Sequence, residues 1–193
     1  MMGLKIAIVC FVAMADVSCG KSVANVPEPT TAVVIETAAP TTEAPRAEIP
    51  TAPKSEGFTA YRIYGITPPI EWQQYLYEQL NSLGYGWYMP YAVCQIFQES
   101  RWNQYSDNGV DVGLTQQKAV YWQTRAAHWG VPGASIWDPY AQLHVYAGMM
   151  CQFLAQTESV EWALSMYFWG NGDYAPKYIA DVMSHWSALE VVR

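Results

Sequence analysis

Two carboxylates stand twelve residues apart in a stretch otherwise rich in amide, hydroxyl and glycine residues. The stretch runs Glu99-Ser100-Arg101-Trp102-Asn103, then Ser106 and Gly109, then Asp111-Val112-Gly113-Leu114-Thr115-Gln116. A carboxylic acid that stays protonated near neutral pH can donate its proton to a leaving oxygen. Glu99 stands near the end of an apolar helical run. There the partial negative charge of a helix C-terminus, together with desolvation by Phe97, Trp102 and neighbouring Tyr residues, is expected to raise its pKa. Taken alone, a glutamate in that place is more often a solvated helix-end residue. Asp111 offers a second carboxylate. It would serve as the nucleophile of a retaining hydrolase if it lay about 5–5.5 Å from Glu99, although a loop aspartate more often bonds its own backbone. Asp107-Asn108-Gly109 reads as turn chemistry only. Trp102, Trp122, Trp137 and Trp169 could stack on sugar faces; a tryptophan in a helical domain is more often core, and Trp169, beside the Gly170-Asn171-Gly172 turn, is the preferred candidate. His128, His144 and His185 show no metal-ligand spacing, and neither a Gly-x-Ser-x-Gly elbow nor a phosphate loop occurs.

The elements that would position these groups read as helices. Trp72, Tyr75, Leu76, Leu80 and Leu83 recur at helical spacing over 71–83, which Leu83-Gly84-Tyr85-Gly86 ends. Pro90 opens a second helix at a favoured first-turn place, and Val93, Ile96 and Phe97 carry it to about Ser100. Arg101 to Gly113 breaks into turn residues, predicting a loop or short hairpin beside the helix that carries Glu99. Asp138-Pro139 caps a third helix over about 139–156. Ser159 with Glu161 starts a fourth, which Gly170-Asn171-Gly172 stops. A fifth is expected over about 174–189, with Tyr178, Ile179, Val182, Met183 and Trp186 as its buried stripe. The fold class is therefore all-α.

Composition divides the chain. No aromatic residue occurs from Val12 to Gly57, whereas all nine Trp lie beyond Phe58. One globular domain over 58–193 is the expectation, large enough for a single core. Residues 20–57, rich in Pro, Thr, Ala and Glu, read as a disordered tether. Residues 1–19 read as an export signal: Lys5, an apolar run from Ile6 to Ala15, and the small-x-small pattern Ala13-Met14-Ala15. A secreted or cell-surface location follows. Cys19, within Val17-Ser18-Cys19-Gly20, is a second option as a lipid anchor, the only membrane contact expected; Asp16 stands where such signals usually carry Leu. Cys94 and Cys151 either pair outside the cytoplasm or fill separate places in the core. The net charge is −7, and the 58–193 part has six Lys/Arg against eleven Asp/Glu. A nucleic-acid partner has no electrostatic footprint, and recognition of an anionic polymer would have to come from a cleft rather than from bulk charge.

Taken in order, the Glu99-Ser100 pair, the turn-rich loop and Gly113-Leu114-Thr115-Gln116 resemble the motifs of the SLT-type lytic transglycosylases, where the last reads Gly-Leu-Met-Gln. Ala163-Leu164-Ser165-Met166-Tyr167-Phe168-Trp169-Gly170-Asn171-Gly172 resembles that family's Ala-Leu-Ala-Ala-Tyr-Asn-Ala-Gly-x-Gly, with Phe168 in place of Asn. Tyr178-Ile179 with Val182 resembles its closing helix. The resemblance spans about residues 85–185. It implies a lysozyme-like helical domain that cleaves the β-1,4 bond between N-acetylmuramic acid and N-acetylglucosamine in peptidoglycan strands, leaving a 1,6-anhydro end. Glu99 would be the general acid and base. Gln116 and Tyr167 would line the cleft, Ser100 and Ser106 would support it, and the chain would act as a monomer without metal or cofactor. The Asp-x-Gly-Leu-x-Gln loop is also similar to that of c-type lysozymes, so a hydrolysing muramidase using Glu99 and Asp111 stays open. A non-catalytic peptidoglycan-binding module is a third reading, favoured by the departures at Thr115 and Phe168.

Overall fold

A computed structural model describes residues 57–192, all within one compact unit. The stretches expected to form an export signal over 1–19 and a tether over 20–57, Cys19 included, lie outside the described residues as far as Glu56. The architecture is mainly helical. A short strand β1 (Tyr61–Ile63) precedes helices α1 (Ile70–Ser82) and α2 (Met89–Ser100). Strands β2 (Asp111–Val112) and β3 (Gln117–Lys118) form a hairpin. Helices α3 (Trp122–His128), α4 (Pro139–Thr157), α5 (Val160–Trp169) and α6 (Pro176–Ser184) follow, and β4 (Leu189–Val191) ends the described chain.

α2 is the central helix. Every residue from Met89 to Phe97 is buried, and α1, α4 and α6 supply most of the core around it. Local chemistry sets the helix ends. Asp138 accepts the Tyr140 and Ala141 N–H groups at the start of α4, and Ser159 accepts that of Trp162 at the start of α5. Gly170 closes α5 in the left-handed region, φ 74°. A second cluster of Trp122, Ala126, Ala141 and Val145 fastens α3 to α4, and the Trp122 indole donates to the Ala134 carbonyl at 2.8 Å.

One expectation needs correction. The fifth helix does not reach 189: α6 stops at Ser184, a 3-10 turn spans His185–Ala188, and Leu189–Val191 becomes a strand. That strand pairs antiparallel with β1, Ile63 opposite Leu189 and Tyr61 opposite Val191. Gln73 completes the corner from α1, accepting the Tyr61 N–H and donating to the Tyr61 and Pro68 carbonyls. Neither β1 nor α3 was expected, because a three-residue strand and a seven-residue helix are too short to show a period. Cys94 and Cys151 are both free and buried in the same core cluster. Burial pushes each thiol up to about 12, which leaves both protonated and unreactive.

Candidate active site

Glu99 lies on the last turn of α2 and is half-buried. Desolvation pushes its carboxyl to about 7. The hydrogen bond from Tyr178 works against that rise, and the negative charge of Asp111 adds to it. The Tyr178 hydroxyl donates to Glu99 Oε1. A chain of buried polar groups fixes that direction. Gln95 Nε2 donates to the Tyr178 oxygen at 3.1 Å, so the Tyr178 proton is left for Glu99. Gln95 Oε1 in turn accepts from the hydroxyls of Tyr88, at 3.1 Å, and Tyr146, at 2.7 Å. Tyr88, Gln95 and Tyr146 are fully buried. One turn of α2 separates Gln95 from Glu99, so a single helix face carries both the acid and the group that orients its partner.

After Ser100 the chain reverses through two residues in the left-handed region, Arg101 at φ 54° and Trp102 at φ 61°. Such a conformation costs a non-glycine residue about 1 kcal/mol or more. The buried Trp102 ring, whose indole donates to the Val93 carbonyl at 3.3 Å, holds it in place. Asparagine and aspartate side chains then fold the loop. Asn103 accepts the Tyr105 N–H, Asp107 the Gly109 N–H, and Asn108 those of Val110 and Asp111.

Three clasps hold the β2–β3 hairpin over the end of α2. The Ser100 hydroxyl donates to the Leu114 carbonyl at 2.6 Å. The Tyr167 hydroxyl, from α5, donates to the Thr115 carbonyl and accepts from Gln117 Nε2 at 2.8 Å. Gln142, buried in α4, accepts the Thr115 N–H at 2.7 Å and donates to the carbonyls of Ile136 and Val112. The Gln142 amide passes so close to Gly113 that a Cβ there would lie 1.6 Å from Nε2, and Gly113 has φ 80°. Glycine is required on both counts. Thr115 is fully buried and donates its hydroxyl to Gln142 Oε1 at 3.1 Å, which accounts for a polar residue at that place.

The hairpin and α2 frame a cavity of about 250 Å³, lined by Glu99, Asn108, Asp111, Gln116, Lys118, Arg125, Met149, Tyr167 and Phe168. Four expected site residues, Glu99, Asp111, Gln116 and Tyr167, therefore meet in one place. Three others do not line it. Ser100 is buried and spends its hydroxyl on the hairpin. Ser106 takes part through its carbonyl, which accepts from the Gly113 N–H and Gln116 Nε2. Trp169, at the end of α5, is 54% exposed and packs edge-on against Phe168 instead. The ring beside the acid is that of Phe168, stacked on Tyr178 with centroids 4.6 Å apart. Trp102 and Trp122 belong to the core, and Trp137 lies near Tyr105. Phe97 packs against His185 and Tyr64.

Sequence reasoning missed Lys118, Arg125 and Met149 as lining residues, read Asn108 as turn chemistry only and Phe168 only as a departure from the motif, and placed Tyr178 in a buried stripe and a closing helix with no role at the site. For Tyr178 a signal existed: a tyrosine on the core face of a helix must find a partner for its hydroxyl. For Arg125 none did, because α3 itself was not legible. Among the described residues, no group of three or more His, Cys, Asp or Glu side chains is placed to hold a metal ion, and no helix is long and apolar enough to cross a membrane. Comparison of the chain with family models, curated proteins and solved structures returns no match.

Proposed function

We propose that the chain is a lysozyme-like lytic transglycosylase acting on peptidoglycan strands, with Glu99 as its general acid and base. The observation that carries this reading is a half-buried carboxyl pushed up to about 7, facing a cavity and held on one oxygen by Tyr178. Because Oε1 accepts from Tyr178, the acid proton sits on Oε2 and is free to pass to a glycosidic oxygen. As the C–O bond breaks, positive charge grows on the muramoyl C1 and its ring oxygen. The Glu99 carboxylate then takes the proton of the muramoyl 6-hydroxyl, whose oxygen bonds to C1. No water is consumed, and Glu99 ends protonated as it began. Met149 and Phe168 give the cavity apolar wall, while Asn108 and Gln116 give it amides suited to sugar hydroxyls. The order of parts also supports a lysozyme-like arrangement: a buried helix ending in the acid, a hairpin folded across its end, and a long helix fastening that hairpin.

Asp111 supports a second reading, a hydrolysing muramidase. It lines the same cavity and is near enough for its charge to raise the Glu99 carboxyl. Release of soluble fragments from purified walls separates the roles. Glu99→Gln is expected to lose at least about a thousandfold, and Asp111→Asn less than about tenfold. A loss at Asp111 as deep as that at Glu99 favours the muramidase. Full release by Glu99→Gln removes both readings.

A further inference from the structure

Lys118 and Arg125 face the cavity from the side of β3 and α3. They are two of only six Lys/Arg in the 58–193 part, whose surface is otherwise dominated by acidic groups. Neither forms an ion pair among the described residues, where the pairs are Arg62–Glu190 and Lys177–Asp181. Arg125 is half-buried and its guanidinium is held in a set direction. Nη1 donates to Gln117 Oε1 at 2.7 Å, and the group lies over the Tyr121 ring, 5.7 Å from its centroid. Gln117 is itself buried and tied through Nε2 to Tyr167 and Thr115. A guanidinium has five N–H donors, and the others find no acceptor among the described residues. Holding an arginine half-buried with most of its donors open suits an incoming anion. Two carboxylates already share the cavity, so a singly charged planar group fits better than a phosphate.

We infer that Arg125 and Lys118 form a subsite for a carboxylate on the lactyl branch of the muramoyl residue, so that the cleft selects charged glycan over neutral glycan. This rests on the glycan-cleaving reading. That carboxylate has two sources: the lactyl group itself on stripped strands, or the stem peptide attached to it. The subsite would also orient the strand, because only one of the two alternating sugars carries the branch.

The test is calorimetry on the full chain carrying Glu99→Gln, so that nothing is cleaved. Three soluble ligands of equal length are compared: strands stripped by an amidase, strands bearing stem peptides, and N-acetylglucosamine oligomers. Adding Arg125→Gln or Lys118→Gln is expected to lower the ratio of charged-strand to neutral-strand affinity about tenfold, with Arg125→Lys recovering part of it. Loss confined to stripped strands assigns the lactyl carboxylate; loss confined to stem-bearing strands assigns the peptide. Lys118 is exposed, so its replacement leaves the fold in place. An unchanged ratio, or an equal fall for all three ligands, overturns the subsite while leaving the glycan reading intact. If the parent protein binds none of the three, the glycan reading fails and the subsite with it.

Discussion

Glu99 carries opposite demands on stability and on chemistry. Its folded-state pKa, about 7, lies above the ordinary 4.5, so the folded chain holds this proton more tightly than the unfolded one. Its contribution to stability is therefore fully present below pH 4.5 and is lost as pH rises through 7. The loss amounts to about 3 kcal/mol. Glu99→Gln, which cannot ionise, is expected to be more stable than the parent by about 1–3 kcal/mol at pH 8 and equal to it at pH 4; denaturant melts at the two pH values measure this. Equal stability at pH 8 would mean the carboxyl is solvated. On the proposed reading the same proton sets activity. kcat/KM should fall as pH rises through 7, since the acid must be protonated to act. The Tyr178 hydrogen bond opposes the rise in pKa, so in Tyr178→Phe the alkaline limb is expected to move to higher pH. A limb that moves to lower pH, or stays in place, would mean that Tyr178 does not hold the Glu99 carboxylate.

At the scale of elements, the hairpin is positioned by clasps rather than by its own two-residue strands. Gly113→Ala must move the Gln142 amide and adopt φ 80° with a side chain. A loss of about 2–4 kcal/mol is expected, read as a lowered denaturation midpoint. Ser100→Ala removes one tie to Leu114 and should cost about 1 kcal/mol. A neutral Gly113→Ala would mean that the hairpin is not held by Gln142. The elements differ in how much the sequence shows of them. α1, α2, α4 and α5 were legible because apolar spacing and end signals coincide: Pro90, Asp138 with Pro139, Ser159 and Gly170. α3 and the β1–β4 pair were not, since their stability comes from distant partners such as Trp122 on α4 and Gln73 on Tyr61. The candidate site follows the same division. Glu99, Asp111, Gln116 and Tyr167 could be named from residue type and order. Ser100, Ser106 and Trp169 were misplaced because spacing along a chain does not tell whether a serine meets ligand or backbone, or which side of a helix end a ring takes. Phe168 is one residue from Trp169 and about 100° around α5 from it, which decides which of the two rings borders the cavity.

For the whole molecule, the proposed reading makes the cavity, rather than the bulk net charge of −7, the place where an anionic polymer is read. The fold brings acid, amides, two cations and an aromatic wall into that one cavity from α2, the hairpin, α3, α4 and α5. The central claim is that this arrangement breaks the glycan with no water entering the bond. The most direct measurement is the mass of the fragments released from purified peptidoglycan by the intact protein and by Glu99→Gln. Fragments lighter by one water than hydrolysis products, formed only when Glu99 is present, are the expected result. Full-mass reducing ends, or release that survives the loss of Glu99, would contradict it.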